Sequence, residues 1–364
     1  MFKLEMFPAG YGDALWIEFG TSQHPKRILI DGGLAPTYDF LRKRILSLQA
    51  GKRRFEVFVI THIDNDHIEG ALKLLLDESL GVEFGDIWFN GWQHLPEPEP
   101  GDELGAPEAE AVSGIIIERG LPWNVAFDGN AVEIESSVKL PEHEIDGGLK
   151  LTLLSPRVEQ LRKLRPKWQE AVREAGLEAG MTEQALTEFR KKRKYQIDDE
   201  LGETYFDIKK LANTTFKPDN SEANGSSIAL LAEFGSQKCL LLGDAHAQVV
   251  AETIAQLIAV REKPFLAVDF FKMSHHGSRA NNSKDLFIIV PAKNYLVSTN
   301  GKKFGHPDVE AIARAIIHGG KECTLNFNYL SEDNSCWDDQ ARMEEFNYAV
   351  KYPQIGHEGL LIEV

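Results

Sequence analysis

The sequence predicts an α/β fold, and two observations carry that expectation. Short apolar, strand-like runs alternate with helix-length segments along the chain. In the second half, three of those runs deliver a histidine or an aspartate into the loop at their C-terminal end. That edge of an α/β sheet is where ligands bind, so these loops are expected to meet at one site.

The chain opens as a strand meander, with Lys3–Phe7, Ala14–Phe19 and Arg27–Ile30 separated by turns, before a helix at Thr37–Leu48. Gly10, Gly12 and Asp13 form a loop whose small residues let backbone approach a ligand. Asp31 ends a buried strand. Its carboxylate reads either as turn chemistry before Gly32 and Gly33 or as a group that orients a ligand histidine.

The apolar run Phe55–Ile60 ends in Thr61-His62-Ile63-Asp64-Asn65-Asp66-His67. In an extended segment His62, Asp64 and Asp66 share a side, and His67 opens the helix Ile68–Leu80, so it can turn back toward them. Imidazole and carboxylate suit hard-to-borderline divalent metals, and so many ligands in this spacing point to two ions rather than one. The plain alternative is a polar loop in which Asp66 caps the helix, but two histidines and a second carboxylate exceed what a cap needs.

A strand at Asp86–Phe89 leads to an acidic loop over Pro96–Glu110 and a helix at Ala109–Arg119, with further strands at Val132–Ile134 and Leu149–Leu154. Between Ser155 and Asn220 the chain becomes helical and charged, at Val158–Ala175 and Thr182–Tyr195. Arg162, Lys163, Arg165, Lys167 and the run Arg190–Lys194 make it locally basic, as a solvated helix face or as a surface for a phosphate backbone. Strands resume at Ile228–Phe234 and Lys238–Leu242, the latter ending in Gly243-Asp244. A helix at Gln248–Val260 and a strand at Ala267–Met273 lead into His275-His276-Gly277-Ser278. The strand Tyr295–Ser298 precedes Gly305-His306-Pro307 and a helix at Asp308–His318.

Composition narrows the function classes. A net charge of -16 opposes indiscriminate binding to nucleic acid or anionic membrane, though not a local basic groove. No membrane span or signal peptide is evident, which predicts a soluble cytoplasmic protein. Cys239, Cys323 and Cys336 form no CxxC pair and read as free thiols. No phosphate-binding glycine loop or nucleophile elbow is present.

The ordered motifs Leu29-Ile30-Asp31-Gly32-Gly33, Thr61-His62-x-Asp64-x-Asp66-His67, Asn224-x-Ser226, Gly243-Asp244, His275-His276-Gly277-Ser278 and Gly305-His306-Pro307 resemble the metallo-β-lactamase superfamily. The most similar branch is the cytoplasmic hydrolase domain of the competence protein ComEC. The resemblance spans residues 1 to about 320 and implies an αββα sandwich, with 1–364 as one hydrolase domain and 155–220 as a charged helical insertion within it. It implies two divalent ions, Zn or Mn, with His62 and Asp64 on the first, Asp66, His67 and His275 on the second, and Asp244 bridging. Asp64 stands where the usual motif has histidine, and a third-motif histidine is missing near Asn224 or Ser226; a harder first site favours Mn. Of the adjacent histidines, an extended backbone would let only one reach the metals, and His275 is the expected one.

The implied activity is a phosphodiesterase or nuclease using metal-activated water, with Asp66, Asp244 and His306 as catalytic groups and nucleic acid or a small phosphodiester as substrate. Similar stand-alone hydrolases occur in bacterial defence clusters, where a protein partner would supply recognition. The alternatives are a hydrolase of cyclic nucleotides or phosphorylcholine-type esters, lidded by Trp88, Trp92 and the acidic loop, and a metal-stabilised binding protein.

Overall fold

Two mixed sheets meet across one apolar layer in this computed structural model, which describes residues 1–96, 107–135, 139–174, 180, 182–189, 207–354 and 356–363. The basic run Arg190–Lys194 and most of the acidic loop lie outside the described residues.

The strands in chain order are β1 (Phe2–Met6), β2 (Leu15–Gly20), β3 (Pro25–Ile30), β4 (Arg54–Phe55), β5 (Val57–Val59), β6 (Glu83–Phe84), β7 (Ile87–Trp88) and β8 (Glu142–Ile145). They continue with β9 (Leu149–Ser155), β10 (Ala229–Phe234), β11 (Gln237–Leu241), β12 (Val268–Lys272), β13 (Ala292–Val297), β14 (Thr324–Phe327), β15 (Ala349–Lys351) and β16 (Leu360–Glu363). The first sheet runs β16-β1-β2-β3-β5-β7 and the second β15-β14-β13-β12-β11-β10-β9-β8, with a small β4-β6 pair beside them.

Period-two alternation decides which face each strand offers. Phe2, Leu4, Ile17, Phe19, Ile28, Ile30, Val57 and Val59 face a core shared with Leu153, Leu230, Leu240 and Phe270 of the second sheet. Phe2 stacks at 6.4 Å from Phe234 and 6.1 Å from Phe270, across the layer. The intervening residues Trp16, Leu29 and Phe58 join a second cluster with Ile68, Leu72 and Leu75 of the helix Asn65–Leu76. The second sheet is covered by residues of the helices Ala247–Val260 and Val309–His318.

The charged segment between β9 and β10 differs from a purely solvated face. Its helix Val158–Glu174 places Leu161, Leu164, Trp168 and Val172 in the second cluster, a stripe at helical spacing. Each buried leucine contributes about 1.5–3 kcal/mol. Of its basic residues, Lys163 pairs with Glu159 at 2.7 Å and Lys167 with Glu170 at 3.2 Å. Arg165 lies 3.9 Å over the Trp92 ring.

Other expectations shift locally. Val132–Ile134 forms no strand, only a bridge from Ile134 to Arg157, because the Asn90 side chain takes both backbone bonds of Val132. β8 and β14 to β16 are strands beyond those read from the sequence. Cys239, Cys323 and Cys336 are free, the first two buried. Among the described residues no helix is long and apolar enough to cross a membrane.

Candidate metal centre

The loop after β5 turns sooner than alternation implies. The helix starts at Asn65 with Asp64 as its N-cap residue, so Asp66 and His67 already sit in the first turn. Asp64 makes no side-chain cap bond; its Oδ2 lies 3.5 Å from His62 Nε2. Asp66 therefore faces the site through helical geometry, not through a shared side of a strand.

Close backbone packing holds this turn against its neighbours. A Cβ on Gly12 would meet the Asp66 carbonyl oxygen at 1.8 Å, and one on Gly32 would meet Ala71 N at 2.0 Å. The Asp13 N–H donates to the same Asp66 carbonyl at 3.2 Å.

The four histidines share one hydrogen-bonding logic. His67 Nδ1–H donates to Asp31 Oδ2 at 2.8 Å, and His276 Nδ1–H to the Ser298 carbonyl at 2.9 Å. His275 Nδ1–H donates to Asn281 Oδ1 at 3.0 Å. The Thr61 hydroxyl donates to Asp31 Oδ2 at 2.8 Å, which leaves its oxygen to accept from His62 Nδ1 at 3.0 Å. In the neutral rings these partners place the proton on Nδ1 and leave Nε2 facing inward, the arrangement that metal-ligating histidines take.

All four inward nitrogens surround Asp244. Its Oδ2 lies 3.5 Å from His67, 3.6 Å from His276, and 3.8 Å from both His62 and His275, measured to Nε2. Asp66 Oδ2 approaches His276 Nε2 at 3.3 Å and His67 Nε2 at 3.9 Å. His67 and His276 bring Nε2 atoms within 3.3 Å of each other, a separation that a shared cation would suit. His62 Nε2 and Asp244 Oδ1 are buried without any hydrogen-bond partner, as ligand atoms awaiting an ion would be. The donor set therefore fits divalent metal.

Charge agrees with geometry. Burial alone would raise the Asp244 carboxyl, yet the imidazoles of His67, His276 and His275 hold it well below the usual carboxylate range. Burial likewise opposes a proton on His276, but Asp244 and Asp13 outweigh it and push the ring up to about 9. His67 moves up for the same reason, through Asp244 and Asp31. The carboxylates that draw protons to these rings are equally able to draw a divalent cation.

The expectation that only one of the adjacent histidines reaches the centre rested on an extended backbone. Both residues instead take left-handed φ, 47° at His275 and 54° at His276, and both rings reach Asp244. His276 is buried and His275 is 24% exposed, so they approach from the inner and the outer side. Asn224 lies behind His275, with Nδ2 3.3 Å from its Nδ1 and donating to Asp219 Oδ2 at 2.7 Å. Ser226 Oγ donates to the Ala223 carbonyl.

Asp13 had been read only as part of a close-approach loop. One donor atom from each of Asp13, His67, Asp244 and His276 falls within 4.8 Å of the others. Asp13 is also clamped to Lys272 at 2.6 Å, deep in the core. Lys272 is fully buried there and donates to the Met273 carbonyl, so it supports Asp13 and does not face a substrate. His306 lies beside His275, with its ring 5.3 Å away and its Nδ1 3.7 Å from Asp308. Burial, then the charges of His275 and His276, lower it to about 3 and keep it neutral.

No protein-family profile and no curated protein matches the sequence. Among solved structures the chain is similar to a CmlA beta-hydroxylase mutant, at 10% identity and a TM-score of 0.37, covering 100% of this chain and 54% of that one. The chain thus spans about half the length of that protein. A likeness of that depth carries no argument, and the centre is read from its own chemistry: a buried carboxylate ringed by the inward Nε2 atoms of four imidazoles, fit for divalent metal.

Proposed function

We propose that this chain is a metal-dependent phosphodiesterase, most concretely a nuclease, built as an αββα sandwich of the metallo-β-lactamase type. The observation that carries the reading is Asp244 Oδ2 at the hub of four imidazole nitrogens. Two sets of donors share it. His62, Asp64 and His275 with Asp244 would hold one ion, and Asp66, His67 and His276 with Asp244 the other. On this assignment His275 supplies the donor that the absent third-motif histidine would have given. Two imidazoles and two carboxylates per ion suit Zn or Mn.

A pair of divalent ions supplies Lewis acidity, which acidifies a water and neutralises charge on the attacked and leaving oxygens of a phosphodiester. The protein's own groups do the rest. Asp244 fixes the centre, because its flanking rings are each locked through Nδ1. Asp66, close to His276 and partly open, is placed to accept a proton from the attacking water. His306, neutral and with its ring 5.3 Å from His275, is close enough to the centre to offer a ring N–H to a substrate oxygen.

The small-ester reading calls for a lid. Trp88 is fully buried, with its ring against Phe127 and its Nε1–H bonded to Asp86, and Trp92 is covered by Arg165, so neither tryptophan is free to close over the centre.

The test is hydrolysis of single- and double-stranded DNA, RNA and bis-p-nitrophenyl phosphate by the protein loaded with Zn or Mn. At least one should be cut, and cutting should stop on chelation and in Asp244→Ala. A protein that binds both ions yet cuts none of the four would be a metal-stabilised binding protein instead.

A further inference from the structure

Beside the metal centre, two loops far apart in sequence build an exposed aromatic lip. The Tyr11 and Phe304 rings meet edge to face, 5.7 Å apart at 88°. Lys303 Nζ sits over both, 4.6 Å from the Tyr11 centroid and 4.8 Å from that of Phe304. Phe304 is 51% exposed, while Lys302 and Lys303 are solvent-facing in a chain of net charge -16.

Contacts tie the lip to the centre from two directions. Phe304 lies 6.1 Å from His306, whose ring is 5.3 Å from His275, a member of the Asp244 ring of imidazoles. Tyr11 precedes Gly12, the residue packed against the Asp66 carbonyl. The two loops are joined where Asn300 N–H donates to the Gly10 carbonyl at 2.8 Å, and the second closes on itself through Gly305 N–H to Gly301 O at 2.9 Å. A single exposed phenylalanine would need no explanation. Two rings and a cation brought together from separate loops, at the edge of a centre suited to phosphodiesters, do.

We propose that Tyr11, Lys303 and Phe304 form a stacking platform for a base of single-stranded nucleic acid, an assignment that rests on the phosphodiesterase reading of the neighbouring centre. An aromatic face accepts any base, and an ammonium group beside it meets the backbone phosphate, so recognition is sequence-tolerant. Duplex bases are already stacked on one another and offer the lip no free face. The substrate class is then single-stranded DNA or RNA, or a frayed end.

The test measures binding of fluorescein-labelled phosphorothioate oligothymidylate to the metal-loaded protein by anisotropy. The comparison is an abasic oligomer of equal length and charge. The parent should prefer the oligomer with bases by roughly 5- to 150-fold, the range that stacking of one base supplies. Phe304→Ala should erase most of that preference without altering the abasic affinity, and Phe304→Leu, which keeps apolar bulk but loses the ring, should behave alike. A parent that does not distinguish the oligomers, or a Phe304→Ala variant that still does, overturns the platform. Bis-p-nitrophenyl phosphate hydrolysis by the parent is scored separately. Base preference with none of DNA, RNA and bis-p-nitrophenyl phosphate cut removes the phosphodiesterase reading and leaves the platform, whereas hydrolysis without base preference does the reverse.

Discussion

The inner and outer halves of the centre are built differently. On the inner side His67, His276, Asp13 and Asp31 are almost wholly buried, and each is held by a second protein group: His67 by Asp31, His276 by Ser298, Asp13 by Lys272 and Asp31 by Thr61. On the outer side Asp64 is 43% and His275 24% exposed, with His62 buried behind them. Buried polar groups must be satisfied by the fold, so the inner half is preorganised together with the core. The outer half is free to exchange water and substrate. One half should behave as structure with metal in it, the other as reactive surface.

Removing the group that both halves share has the largest expected effect. Asp244→Ala should lose activity altogether and lower metal content by more than the roughly 10- to 100-fold that loss of an outer partner costs. Metal analysis of the purified variant, with its circular dichroism spectrum, checks this; full metal occupancy would remove Asp244 from the hub. Next comes Asp31→Ala, which never touches the ions. It releases His67 and Thr61 at once, and should cost roughly 10- to 100-fold in metal affinity or activity. Competition with a chromogenic chelator measures it, and an affinity equal to the parent's would break the idea of a preorganised inner half.

The adjacent histidines sharpen the contrast. His276→Ala should empty the inner ion site and also destabilise the fold by about 1–3 kcal/mol, since the Ser298 carbonyl loses its buried donor. His275→Ala should empty the outer site and also takes a donor from Asn281 Oδ1, but beside a ring that is 24% exposed water can replace it, so the loss should stay below about 1 kcal/mol. Urea unfolding of the two variants tests the comparison, and equal destabilisation would erase the difference between the halves. The smallest effect is expected away from the centre: Lys163→Ala breaks an exposed pair with Glu159 on a helix otherwise anchored by Leu161 and Leu164, and should change stability by about 0.3–0.5 kcal/mol.

Sequence alone determined the strand ends that carry the chemistry, because period-two and helical apolar patterns are local and the segment from His62 to His67 is contiguous. It also marked Asp244 and the histidine pair as residues delivered by strands. Tertiary structure decided how they meet. Asp13 is an unremarkable loop residue until β12 brings Lys272 against it and the Ser298 loop fixes His276. The left-handed turn at His275 and His276 arises where that loop packs under Pro307 and the Asp308 backbone, a contact more than 30 residues away in sequence and invisible to any local pattern. The stripe of Leu161, Leu164 and Trp168 was likewise hidden among charges until Phe89, Trp92 and the helix Pro107–Glu118 supplied partners to bury it. Local propensity and hydrophobic spacing choose elements. Which rings share a carboxylate depends on long-range packing, and that is set only once both sheets close on their common core.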